Sequence, residues 1–208
     1  MRTRLRCSLW IVCVPLLLAL VACGATLPPR FVIERDLGEF VYRRYQKVLD
    51  VEITVEGNAA VGHTATYVRR DRGRTVAFAT AFVSVYEHAK GLAEETREQL
   101  KELSTYELTT IELEGDYVHR LDGGGERWAI WVSGKHLVKI GAPAGEEFPE
   151  ELAAAYLDVY RSDLQDNGKA RPDAASAGPS RAQLADRAED DTSIVREGPS
   201  RPSSSQNQ

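Results

Sequence analysis

Residues 31–164 predict an α+β fold, an antiparallel, β-rich sheet with two packed helices. Three observations carry this expectation. Apolar and polar residues alternate through much of 51–86, two stretches near 90–103 and 149–164 repeat with a helical period instead, and short strands separated by turn residues fill 106–140. The 134 residues of this span suffice for one modest core and not comfortably for two.

The elements follow in order. Phe31–Leu49 fits either a helix face (Val41, Tyr45, Val48) or a strand running into Asp50, and a strand with a bend or a short helical turn is preferred. Val51, Ile53 and Val55 alternate with Glu52, Thr54 and Glu56 as a strand should, and Gly57-Asn58 then reads as a turn. Val61, His63, Ala65 and Tyr67 share one face of the next strand, which Asp71-Arg72-Gly73-Arg74 turns back. Val76–Tyr86 carries Val76, Phe78 and Phe82 on one side and Ala77, Ala79, Ala81, Val83 and Val85 on the other. Two apolar faces predict a central strand covered on both sides.

Lys90–Leu103 is the clearest helix, with Leu92, Thr96, Gln99, Leu100 and Leu103 near one side and charges opposite. Strands resume at Tyr106, continue through Tyr117–Leu121 to the Asp122-Gly123-Gly124-Gly125 connection, and return as Trp128–Val132 and His136–Ile140 around a Ser133-Gly134 turn. Pro149, Glu150 and Glu151 open a last helix, where proline and acids suit the first turn; Leu152, Ala155, Tyr156 and Val159 form its stripe. Each half ends in a helix, but the two helices share no convincing local match, so a duplication stays open.

Beyond Gln165 the composition shifts to Asp, Gly, Lys, Ala, Arg, Pro and Ser. Aromatic residues end at Tyr160, and Pro172, Pro179, Pro199 and Pro202 interrupt any long helix. Such a segment buries too little apolar area to offset its ordering entropy, so 165–208 is expected to be a disordered tail, with at most a transient turn at Ala182–Glu189.

At the other end, Arg2, Arg4 and Arg6 precede the 14 nearly apolar residues Leu9–Ala22, a run too short to span a bilayer comfortably. This reads as a secretory signal segment, with an uncleaved anchor as the alternative. Its last residues, Leu20-Val21-Ala22-Cys23, resemble the lipobox of bacterial lipoproteins. The resemblance covers residues 1–23 only. It implies cleavage between Ala22 and Cys23, diacylation of the Cys23 thiol and acylation of the new N-terminus. Several acyl chains give stable anchoring where one does not. Gly24 is not the aspartate that retains many lipoproteins at the inner membrane, so the outer membrane facing the periplasm is expected, with the inner membrane or cell surface as alternatives. The chain then divides into a signal peptide (1–22), a lipidated cysteine and tether (23–30), one α+β domain (31–164) and the tail.

Without Arg2, Arg4 and Arg6, the 26 basic residues fall to 23 against 31 acidic ones, a net of −8, which argues against nucleic acid as a partner. Cys7 and Cys13 leave with the leader and Cys23 becomes a thioether, so the mature domain has no thiol chemistry or disulfide.

Catalytic signatures are weak. His63, His88, His119 and His136 form no HExxH arrangement. His119 and His136, approaching across the meander with Asp116 or Glu114, are the one metal or acid–base grouping worth testing. Ser84 and Ser133 lie in no nucleophile elbow, and the glycines at 123–125 lack the phosphate-loop lysine. No catalytic residue, metal ligand or cofactor is assigned. The binding candidates are the aromatic residues Trp128, Trp131 and Tyr117, and the basic turn residues Arg69, Arg70, Arg72 and Arg74, suited to anionic headgroups or an acidic partner. The expected function is therefore a noncatalytic envelope lipoprotein, a protein-binding or assembly module joined to the membrane by covalent lipid. A periplasmic small-ligand or lipid carrier or sensor is the alternative, and an envelope hydrolase ranks lower.

Overall fold

The structure, a computed structural model, describes residues 26–172. The lipobox-like Leu20–Cys23, with the expected cleavage residues Ala22 and Cys23, and residues 173–208 of the expected tail lie outside the described residues. The elements are β1 (Phe40–Val48), β2 (Ala60–Asp71), β3 (Arg74–Tyr86), α1 (Leu92–Glu102), β4 (Glu107–Leu113), β5 (Asp116–Gly123), β6 (Glu126–Ser133), β7 (His136–Ala142) and α2 (Glu150–Val159). All sheet pairings are antiparallel, in the order β1-β2-β3-β7-β6-β5-β4. The α+β class with two packed helices holds. The strand order shows how the halves join: the β4–β7 meander folds back so that its last strand lies beside β3.

Register assigns side chains to the two faces. Tyr67 opposes Ala79, Ala81 opposes Ile140, and Val83 opposes Val138, which in turn opposes Trp131. This face packs on α2: Trp131 is fully buried and its Nε1 donates to the Tyr160 carbonyl at 2.7 Å. Tyr67 Oη meets Tyr156 Oη at 2.9 Å and also donates to the Ile33 carbonyl, which ties the entering chain, the sheet and α2 together. The opposite face carries Phe82, Lys139 and Ile130 in one row, and α1 packs there against β6. β6 is thus sealed on both sides, and Ala129, Ile130, Trp131 and Val132 are all buried. The helices sit on opposite faces, and the halves hold three strands and four, an arrangement that a simple duplication does not explain.

Four expectations need correction. Residues 51–56 alternate but form no strand. The Tyr86 hydroxyl donates to the Ile53 carbonyl, and the Gln99 side-chain amide bonds both the N–H and the C=O of Thr54, so side chains satisfy a backbone that no ladder claims. The outer side of β3 is not covered: Val76 is 44% and Phe78 48% exposed, because β7 pairs only with Thr80–Val85 and α1 lies over β6. The fold also runs past Leu164. Asp163 N–H donates to the Val132 carbonyl, Leu164 bridges Tyr117 and Ala170, and Arg171 N–H returns to the Asp163 carbonyl. Residues 165–172 thus belong to the domain rather than the tail, held by backbone bonds their composition does not advertise. Finally, the domain begins before Phe31, since Leu27 packs against the core and Phe31 N–H closes a turn on the Pro28 carbonyl.

Candidate functional site

The histidine grouping does not assemble. His119 opposes Ile130, which opposes Lys139 on the α1 side, whereas His136 opposes Val85 on the α2 side. His136 packs against Tyr160 at 5.2 Å between ring centroids. His119 is buried beneath Gly168, where an added Cβ would fall 2.8 Å from Cε1 of the ring. Burial, reinforced by the nearby Arg97 and Lys101 charges, pushes His119 down to about 4. Asp116 is buried and pairs with Arg161 at 3.0 Å and Arg171 at 3.6 Å, a clasp that closes the C-terminal segment onto β5. Among the described residues there is no cluster of three or more His, Cys, Asp or Glu side chains placed to hold a metal ion.

The aromatic candidates separate by face. Trp131 is sealed in the core and unavailable to a partner, a correction to its expected role. Trp128 lies on the opposite face, half-buried, with its ring flat over Gly141, where an added Cβ would come within 2.2 Å of the indole. Lys139 stands over that ring at 4.3 Å, Phe82 tilts against it at 6.0 Å, and the indole N–H donates to Glu126 at 3.1 Å. Tyr117 is half-buried against the core, and its carbonyl accepts from the Ser162 hydroxyl.

The basic turn also divides. Arg69 shares its register row with Phe40 and Ala77, and it pairs with Glu39 and Glu147, both at 3.8 Å, so it leaves the set of available cations. Arg70, Arg72 and Arg74 are exposed and make no ion pair among the described residues. They crown a two-residue hairpin loop in which Arg72 and Gly73 both take positive φ (47° and 81°), the I′-type geometry suited to strand twist.

The sequence missed the surface beside that loop. Val41, Val68 and Phe78 line up across β1, β2 and β3 on the side away from α2, and the next row inward is Arg44, Thr66 and Thr80. Arg44 is exposed and also unpaired among the described residues. Of this row Val68 is buried (5% exposed) and Val41 half-buried, so the open apolar surface here is Phe78 with Val76, flanked by arginines. The signal was present in the alternation of β3; what sequence lacked was the position of α1.

Comparison with family models, with curated proteins and with solved structures gave no match. The site therefore rests on its own geometry. Two clefts lie toward the other end of β2 and β3, away from the arginine-bearing turn. One of about 160 Å³ is lined by Val51, His63, Phe82, Leu137 and Lys139, and a larger open one of about 420 Å³ lies between Ile53, Asn58 and Glu87. The first falls below the roughly 300 Å³ at which sites for drug-sized ligands begin. No described helix is long and apolar enough to cross a membrane.

Proposed function

We propose that this chain is a noncatalytic lipoprotein module of the bacterial envelope, held to a membrane through Cys23 and acting by presenting a binding surface. The observation that carries the binding half of this reading is the exposed Val76 and Phe78, 44% and 48% accessible, beside cations left without partners in the fold. Large apolar side chains grouped on a folded surface mark interaction sites more often than isolated ones do. The tether then raises the local concentration of whatever that surface engages. The anchoring half rests on the lipobox-like Leu20–Cys23 and its basic, apolar leader.

Two measurements test the halves separately. Intact-mass analysis of the envelope-extracted chain should show an acylated N-terminus at residue 23, and Cys23→Ser should shift the protein to the soluble fraction. An unmodified thiol would end the anchoring reading. A photo-cross-linker at position 78 should give discrete adducts in the envelope while one at Asp158, exposed on α2, gives none; equal labelling at both would end the binding reading.

A further inference from the structure

We infer that the β2–β3 hairpin is a membrane-docking finger that binds the anionic headgroup surface of a lipid bilayer. The inference rests on the binding reading above and names the surface's target. Shape is the first argument. β3 pairs with β7 only from Thr80 to Val85, so Arg74–Ala79 extends past the end of β7 with β2 as its sheet neighbour. β1 pairs with β2 as far as Arg69, so the part that runs beyond both β1 and β7 is the turn Arg70–Thr75, which stands out from the end of the sheet. Protein partners draw their affinity from anchors seated in pockets, whereas a bilayer is deformable and receives a protrusion.

Charge is the second argument. Of the described arginines, Arg30, Arg69, Arg97, Arg120, Arg127, Arg161 and Arg171 have carboxylate partners. Those without an ion pair among the described residues are Arg35 and the group on this part of the sheet: Arg43 and Arg44 on β1, and Arg70, Arg72 and Arg74 at the finger. Asp71 is the one acid within the turn, and the neighbouring Glu39 and Glu147 are both paired with Arg69. A patch this cationic on a chain of net acidic charge attracts anionic lipid, and guanidinium groups match phosphate oxygens bidentately. Third, Val76 and Phe78 sit just behind the cations, where an interfacial element places its apolar residues.

The finger also sits well for a second contact. Phe31 packs on His63 with centroids 4.8 Å apart, so the chain enters the domain near the start of β2. The tip lies eight residues further along that strand, about 27 Å away at the usual strand rise. Contact at both the entering chain and the tip would hold the sheet along the membrane, where a single tether leaves it free to tumble.

The test uses the chain from residue 23 to 208 carrying Cys23→Ser, so that no lipid anchor contributes. Its partition onto vesicles of phosphatidylethanolamine and phosphatidylglycerol should exceed that onto pure phosphatidylcholine and fall steeply with salt. Arg70→Glu/Arg72→Glu/Arg74→Glu should weaken it about 100-fold, and Phe78→Ser several-fold, with an unchanged unfolding midpoint showing that each variant is folded. Equal partition onto neutral vesicles, no partition at low salt, or unaltered binding by the arginine variant would overturn the proposal. So would a position-78 cross-link that yields an acidic protein and no lipid. The binding reading fails on equal labelling at positions 78 and 158, whereas this proposal fails on vesicle partition with that labelling still confined to position 78, so the two failures are separable.

Discussion

On β6, Ala129, Ile130, Trp131 and Val132 are all buried, because α2 closes one face of the strand and α1 the other. On β3, two strands away, Ala77 and Ala79 are buried on the side that α2 occupies, while Val76 and Phe78 stand open to solvent. Both strands are apolar on both faces in sequence. The difference lies in what reaches them: α1 is 11 residues long, about 16 Å, and cannot cover a seven-stranded sheet whose neighbouring strands are about 4.8 Å apart. The sheet is therefore finished as core over β5–β7 and left as surface over the outer part of its β1–β3 half. An apolar surface that the fold does not use is available to something else.

The largest expected effect comes from breaking the closed half. Trp131→Ala should destabilise by about 3–5 kcal/mol, since it removes a fully buried indole and strands the Tyr160 carbonyl. Urea unfolding would show this as a lowered midpoint, and a loss under 1 kcal/mol would mean that α2 does not seal this face. Next comes pH. The unfolded chain takes up the His119 proton near 6.5, the folded one only near 4, because burial disfavours the charged ring. Between those values the unfolded state binds more protons, so stability should fall as pH drops from about 6.5 to about 4, by up to about 3 kcal/mol, and stay flat above that window. The lowered value of His63 acts in the same direction. His119→Leu should remove most of the slope, and an unchanged slope in unfolding midpoints taken across pH 4–8 would show that the ring is not sealed under Gly168.

Smaller effects sharpen the contrast. Tyr67→Phe loses the hydroxyl that joins Ile33 to Tyr156 and should cost about 1–3 kcal/mol. Burial raises both phenols, Tyr156 to about 12, which keeps that network neutral through the physiological range. Smallest of all, Phe78→Ser should change stability by no more than about 0.5 kcal/mol, as expected of an exposed position outside the core. If thermal unfolding showed it as costly as a core substitution, the bare face would be a packed one and the contrast with β6 would vanish.

Much of the fold was legible in the chain. Period-two alternation located β2 and β3, glycine-bearing turns placed the hairpins at Arg72-Gly73 and Gly134, and the helical period with Pro149 placed α2. The failures have one physical origin. Val51–Val55 alternates like a strand, yet Tyr86 and Gln99, distant in sequence, take its backbone partners. Residues 165–172 look like tail, yet Asp163–Arg171 closes on Val132 and Asp116 through bonds that composition cannot show. Of the binding candidates, Arg70, Arg72 and Arg74 remained available, whereas Trp131 and Arg69 were taken by the core and by two glutamates. Val41, Val68 and Phe78 entered the site only through register.

The sequence by itself determined most of the strands and both helices, where the main hairpins turn, and that the domain is α+β, because those depend on periodicity and local backbone chemistry within a few residues. Only the tertiary structure decided that β7 joins β3, that His119 and His136 point to opposite faces, and that α1 stops short of Phe78. Each of those is set by pairing and packing between residues far apart in the chain, and a side chain's exposure is fixed by its neighbour in space.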